Sequence, residues 1–402
     1  MQKFDLIIIG GGAGAFAAAI RANELKAKTA IVNAGLPLGG TCVNVGCVPS
    51  KTLLYAGEIL HHAKHHGVAG VELEVKNFDF QKVVQDELSL VEKLRQEKYE
   101  KVLKSLEYVT AIEGKAKFVS QNEIEVNAPA SAKATAGREK LSAEKFIIAA
   151  GSTANVPPIE GIGEVGFVTH IEALRLEKQP KELIIIGAGP LGLEFAQMFS
   201  RFGTKVTVLQ RGNSIFPHSE KTLTDRLAEV LSKEGITIKT NVEVKSARKE
   251  NGKKIISYLV NGKSEEVSGD EILLAAGKTP NTQGLGLDVV GVEVSKQQAV
   301  VVNQSFQTSN KNVFAVGDVT GAPMRLETTA GREGTLAAEN ALKGTQLFID
   351  YNTVPYAIFT DPQLAGVGFT EDEQMKQMGV CACHTVSFAD VPKAIIMHRT
   401  EG

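Results

Sequence analysis

The chain has 402 residues, 43% of them hydrophobic and 22% charged, and a formal net charge of -2 at pH 7. That length exceeds what one core fills, so two or three domains are expected. The near-balanced charge sets the chain apart from disordered, fibrous and nucleic-acid-binding proteins. No apolar run approaches the roughly 18 residues of a membrane span, and the apolar stretch 6–9 is too short for a signal-peptide core. A cytoplasmic protein without a membrane or nucleic-acid partner is expected.

In chain order, FDLIIIGGGAGAFAAAIRANELKAKTAIVNAG reads as a buried strand, a glycine turn, an Ala-rich helix and a second strand ending near Asn33. Residues 80–106, rich in Lys, Glu, Gln and Leu at helical spacing, predict one long exposed helix, followed by short β-prone pieces. KFIIAAGSTANVPP carries an apolar strand into a turn and a proline-marked domain boundary at Pro157 and Pro158. ELIIIGAGPLGLEFAQMFSRFGTKVTVLQRG then repeats the strand, turn, helix and strand order, closed by DEILLAAGKTPNT. NVFAVGDVTGAP is a further buried strand entering a turn, and after about residue 347 the sequence reads as β-rich. The pattern is that of an α/β protein with two Rossmann-like dinucleotide-binding domains.

In the first turn, Gly10 permits the sharp bend, Gly12 lets backbone approach a pyrophosphate, and Ala15 supplies the small third position, with Gly14 between them. The helix that follows would turn its N–H groups and positive dipole end toward the phosphates. Gly187, Gly189 and Gly192 repeat the pattern. Such turns also serve as plain strand-to-helix connectors, but two copies in matching context argue for two nucleotide sites. The second copy ends at Gln210-Arg211 and not at a carboxylate, which favours NADPH, because an Arg pairs with a 2′-phosphate that an acid would repel. Arg211 as a merely solvated charge is the alternative, and NADH stays open. At the corresponding point of the first copy, Asn33 can hydrogen-bond a ribose without charge.

The four cysteines are too few for a disulfide framework, and paired cysteines in a reducing compartment are more often redox-active or metal-binding. GGTCVNVGCVPSK, residues 39–51, places Cys42 and Cys47 in a Gly-rich stretch that includes Gly40 and Thr41, with Lys51 one helical turn beyond Cys47. This stretch closely resembles the redox-active segment of the pyridine nucleotide-disulfide oxidoreductases, the group of dihydrolipoyl dehydrogenase, glutathione reductase and mercuric reductase. AAGS, GAGPLG, AAGKTPNT, AVGDVT and FTDPQLAGVGFT follow in that family's order, so the resemblance spans essentially the whole chain. It implies FAD and a reduced nicotinamide nucleotide as cofactors and a Cys42–Cys47 redox disulfide, with Cys47 as the flavin-facing thiolate and Cys42 as the interchange thiol. A helix start and a nearby ammonium suit a thiolate at Cys47. The resemblance further implies Lys51 beside the flavin, Glu194 as its ion-pair partner, Asp318 on the ribityl chain, and cofactor contacts at Gly151, Gly277 and Gly317. Ordinary helix-surface charges are the alternative for Lys51 and Glu194. Implied domains are an FAD-binding domain over 1–155 with a return segment over 277–347, an NAD(P)H-binding domain over 156–276, and part of an α+β interface domain over 348–402 that makes a homodimer when complete.

Within the family, the disulfide reductases use a C-terminal His–Glu pair and mercuric reductases a C-terminal cysteine pair. The sequence is expected to stop short of either. CVNVGCVPSK, Gln210-Arg211 and FADVPKAI, the last with Lys393 where mercuric reductases have Arg, lean toward the mercuric branch, with Cys42 and Cys47 as transient Hg(II) ligands. A dihydrolipoyl dehydrogenase or another small-disulfide reductase is the alternative, and a catalytically incomplete flavin-binding protein a third reading. Two clusters stand apart. In HHAKHH, His61/His65 and His62/His66 would share helix faces, as zinc or copper ligands or as a solvated helix end. Cys381 and Cys383 would point to one side of a strand, as a metal relay or as plain small residues.

Overall fold

Two strand–turn–helix–strand segments organise the chain. In the computed structural model, which describes residues 1–128 and 138–402, the chain divides into two units. The first comprises Met1–Val48, Ser89–Thr153 and Lys278–Val354, and the second Pro49–Leu88, Ala154–Gly277 and Pro355–Gly402.

In the first unit Gln2–Ile9 lies at the centre of a sheet, parallel to Thr29–Asn33 on one side and to Arg138–Ile148 on the other. Val109–Glu113 extends it in parallel beyond Thr29–Asn33, and Val313–Ala315 also pairs in parallel with Arg138–Ile148. Glu123–Asn127 and Lys115–Ser120 continue it as an antiparallel meander. From Leu6 to Ile9 the side chains of the central strand alternate between two cores, Ile7 and Ile9 into one and Leu6 and Ile8 into the other. Burial on both faces explains why residues 6–9 of this strand are an unbroken apolar run. Each such side chain contributes roughly 1.5–3 kcal/mol of burial free energy. The alanines of the Ala13–Glu24 helix let the Glu327–Lys343 helix approach so closely that a Cβ on Gly334 would lie 2.0 Å from the Gly14 carbonyl oxygen.

The second unit repeats the parallel plan in a four-stranded sheet ordered Thr237–Lys239, Lys205–Leu209, Glu182–Ile186, Glu271–Leu274. A three-stranded antiparallel sheet of Val242–Glu250, Lys253–Val260 and Lys263–Gly269 accompanies it. The fold class is as the sequence implies.

Two local expectations are corrected. The long helix over 80–106 is broken into Phe80–Arg95, a π turn at Gln96–Glu100 and Lys101–Ser105, and it is half-buried through Phe80, Val84, Glu87 and Val91. The end of the chain is not β-rich: Tyr356–Ile358 pairs with Leu364–Gly366, and a helix Glu371–Met378 follows. Thr370 and Glu373 form a reciprocal capping box there, with three acids in the first turn, and these local signals start a helix where no period-two alternation competes.

Candidate functional site

Both glycine turns solve one geometric problem. Gly10 (φ +131°) crosses the end of the neighbouring strand so tightly that a Cβ would lie 2.1 Å from the Ala149 oxygen, and Gly187 (φ +110°) meets Ala275 the same way at 2.4 Å. Neither conformation suits an L side chain. Gly12 and Gly189 are the N-caps of Ala13–Glu24 and Pro190–Arg201, and neither helix start has a side-chain cap. Around Gly189 no described atom lies within 4 Å of a Cβ position, and around Gly12 only the Gly40 Cα does so, at 3.8 Å. Each turn is therefore an open cradle of backbone donors at a helix N-terminus, which fits a dinucleotide pyrophosphate. Gly14 and Ala15 face inward, Gly14 against Ala330 and Val316, and Gly192 would meet the Gly187 oxygen at 2.0 Å, so these positions serve close packing. Asn33 lies beside Gly11 and donates to the Leu36 oxygen at 2.9 Å. Gln210 ties the second turn together, accepting from the Ala188 N–H at 3.2 Å and donating to the Ser214 oxygen at 3.0 Å. Arg211 is exposed, with no ion-pair partner among the described residues.

Cys42 sits in the short helix Gly40–Val45, and Cys47 opens the helix Cys47–His65. Gly40 approaches Gly12 closely, Thr41 is exposed, and Asn44, 2% exposed, pins the turn by donating to the Pro37, Leu38 and Gly40 oxygens at 3.1, 3.2 and 2.8 Å. The two sulfurs meet as thiols. The Cys42 thiol is held well above its ordinary value because it donates a hydrogen bond to Cys47, is substantially buried, and faces negative charge at Cys47 and Glu327. Tyr99, carried on the π turn, shares these neighbours, and its phenol is pushed up to about 12, mostly by burial and then by Cys42, Glu327 and Cys47. π turns recur at functional sites. In the same unit Ser152 Oγ donates to Asp318 Oδ2 at 2.6 Å, the Gly317 N–H donates to Glu333 Oε2 at 2.6 Å, and Gly151 has open space at its Cβ position.

The second unit holds Lys51, Gly187, Gly189, Gly192, Glu194, Arg211 and Gly277. Lys51 Nζ lies 2.6 Å from Glu194 Oε2, and Glu194, 5% exposed, also accepts from the Phe359 N–H at 3.0 Å. The Lys51 ammonium sits 4.6 Å from the centre of the Phe359 ring, within cation–π range. These are a half-buried ion pair, with its carboxylate buried, and its clamp, not two helix-surface charges. Gly277 accepts from the Asn155 N–H at 3.0 Å.

Sequence reasoning missed Asn44, Tyr99, Ser152, Glu327 and Phe359. Asn44 inside the cysteine stretch, Ser152 at the end of AAGS and Phe359 at the start of FTDPQLAGVGFT stood in segments already singled out, but nothing in their residue types marked these contacts. The histidine cluster is a helix end: His61 and His65 stack at 4.3 Å, and burial followed by Arg201 lowers His61 to about 4. His62 lies between Glu58, Asp361 and Arg399, and the guanidinium fills the place of a cation. Cys381 and Cys383 lie outside any strand and are bridged.

Paired parallel-sheet units, each with a glycine turn opening a helix, together with a dithiol, define an oxidoreductase class built for two dinucleotides. The pyridine nucleotide-disulphide oxidoreductase family profile matches residues 4–334, and the dimerisation domain of the same family matches 354–402. The chain is 36% identical over 402 residues to a mercuric reductase of Lysinibacillus sphaericus, covering 100% of this chain and 71% of that protein. It is 34% identical over 403 residues to a dihydrolipoyl dehydrogenase of Geobacillus stearothermophilus, covering 99% and 82%. A solved Cu(II) complex of the HOCl-induced flavoprotein disulfide reductase RclA from Escherichia coli superposes with a TM-score of 0.86 at 28% identity, covering 100% of this chain and 85% of that one. The chain belongs to the pyridine nucleotide-disulphide oxidoreductase family: it is a flavoprotein oxidoreductase that uses FAD and a reduced pyridine nucleotide. No helix among the described residues is long and apolar enough to cross a membrane.

Proposed function

We propose that this chain is a cytoplasmic, homodimeric NADPH-dependent reductase of Hg(II), working through Cys42 and Cys47. Residues 1–155 and 277–347 hold FAD, 156–276 hold NADPH, and 348–402 form the dimer interface. The balance is NADPH plus Hg(II) giving NADP⁺, a proton and Hg(0). Bound FAD supplies the two-electron relay between nicotinamide and sulfur, which no side chain can perform. Cys47 carries the thiolate charge at a helix start, while Cys42 keeps its proton until the acceptor binds, and Hg(II) binding then displaces that proton to solvent. Lys51, fixed by Glu194 and Phe359, presents a positive charge whose direction cannot drift. Asp318, oriented by Ser152, and the open glycine turns would hold the flavin. Arg211 would hold the 2′-phosphate of NADPH.

The observation that carries the reading is the Cys42–Cys47 pair, two thiols in hydrogen-bond contact, able both to bridge and to chelate a soft cation. Exposed Arg211, without an ion-pair partner among the described residues, favours NADPH over the NADH typical of dihydrolipoyl dehydrogenases. The dihydrolipoyl dehydrogenase relatives favour the second reading, a small disulfide as acceptor. The test is anaerobic NADPH oxidation by the FAD-loaded protein with Hg(II) and excess thiol, against lipoamide and glutathione disulfide. Turnover with Hg(II) supports the proposal. Turnover with lipoamide and none with Hg(II) replaces it with the second reading, and no turnover with any acceptor selects the incomplete flavin binder.

A further inference from the structure

We propose that Cys381, Cys383 and Glu371 form a second, redox-gated site for a thiophilic divalent cation, independent of Cys42 and Cys47. One sulfur from each cysteine and a carboxylate oxygen of Glu371 lie within 4.8 Å of one another, a spacing that one ion bridges with small side-chain adjustments. Cys381 Sγ is 3.4 Å from Gln374 Oε1 and 3.9 Å from Glu371 Oε1. A bridged sulfur has no proton to donate, so these oxygens gather at the pair without a hydrogen bond to hold them there. The reduced pair gives both oxygens a partner, first as thiols and then as co-ligands.

A structural role explains the bridge poorly. The two cysteines are separated by one residue, and a cross-link that closes so small a loop restricts the unfolded chain little. Cys383 is exposed and Cys381 half-buried, so both reductant and ion can reach them. The surroundings attract cations: Glu371, Asp372 and Glu373 occupy the first helical turn, and Glu220 reaches the Glu371 N–H. The Lys376 ammonium and the His218 ring face the same turn through Glu373. Two thiolates with one carboxylate suit soft or borderline d10 ions, not Mg²⁺ or Ca²⁺.

The steps balance. A thiol or phosphine reductant delivers two electrons, and two protons complete two thiols. The cation then displaces those two protons and is bound without any change in oxidation state.

The test uses the FAD-loaded chain with Cys42→Ser and Cys47→Ser, reduced with a phosphine, freed of it anaerobically and titrated with Cd(II). Ultraviolet thiolate-to-metal absorption should rise to saturation at one Cd(II) per chain. Two thiols that react with an aromatic disulfide beforehand should be protected afterwards. Cys381→Ser with Cys383→Ser should abolish the band, and Glu371→Gln should weaken binding about tenfold. The bridged protein should bind no Cd(II). In the chain with Cys42 and Cys47 intact, Cys381→Ser with Cys383→Ser should lower the stoichiometry by one, which keeps the test decisive should the first background fold poorly. No band after reduction, an equal band before it, or a band that survives both serines overturns the proposal. Equilibrium binding needs no electron transfer, so this result stands apart from the identity of the acceptor at Cys42.

Discussion

Breaking the Lys51–Glu194 pair from either side should not cost the same, although one and the same ion pair disappears. The side chains are 33% and 7% exposed, with Nζ and Oε2 2.6 Å apart. Lys51→Met strands a buried carboxylate that retains one N–H donor from Phe359, and a buried charge left without its partner costs about 3–5 kcal/mol. Glu194→Gln strands an ammonium that keeps part of its hydration and the Phe359 ring, and its amide oxygen can still accept from Phe359, so solvent screening lowers the cost to about 1–2 kcal/mol. Glu194→Ala adds an unpaired Phe359 N–H, worth about a further 1–3 kcal/mol. The double variant Lys51→Met with Glu194→Gln should cost less than the sum of its parts by about 1–3 kcal/mol. Urea unfolding of the FAD-loaded chain by far-ultraviolet circular dichroism reads the totals. Amide hydrogen exchange at Phe359 reads the local effect, accelerated in Glu194→Ala and nearly unchanged in Glu194→Gln. Equal costs for the two single variants, or strict additivity in the double, would refute the idea of an oriented pair with a buried carboxylate.

Two further outcomes follow from individual side chains. Glu87 is 1% exposed with Oε2 lacking a hydrogen-bond partner among the described residues, and burial, opposed by Arg175, raises its carboxyl to about 7. Folding stability tied to this proton is full below about pH 4.5 and is lost as pH rises through about 7, an amount near 3 kcal/mol. Glu87→Met should therefore stabilise the chain at pH 8 and bring no such gain at pH 4.5, as denaturant midpoints at the two pH values would reveal. Arg211→Ala should raise the KM for NADPH roughly 10–100-fold, the worth of charge-assisted hydrogen bonds, and leave that for NADH unchanged; steady-state kinetics with both nucleotides decide, and a parallel change in both would remove Arg211 from the phosphate.

The sequence carries its architecture where chemistry and backbone demand the same residue. Gly10 and Gly187 are needed by the strand crossing, and the apolar runs before them by burial on both faces, so the two βαβ units could be read directly. The cysteine stretch was legible through its resemblance to the family's redox-active segment. Partnerships made through the backbone were not legible. The Phe359 N–H that clamps Glu194 lies 165 residues away, and an amide N–H leaves no mark on residue type. Tyr99 reaches the cysteine pair through a π turn that no Gly or Pro announces. Glu87 was hidden because a charged residue at helical spacing reads as a solvated face. For Cys381 and Cys383, alternation suggested a strand, whereas the capping box at Thr370 and a local bridge determine the conformation.

The most direct measurement of the electron route is anaerobic titration of the FAD-loaded protein with one equivalent of NADPH, following the long-wavelength absorbance of a thiolate against the flavin. The band should form in the wild-type chain, persist in Cys42→Ser and vanish in Cys47→Ser. Its loss in Cys42→Ser with retention in Cys47→Ser, or its absence from the wild type, would contradict the assignment of Cys47 as the sulfur that exchanges electrons with the flavin.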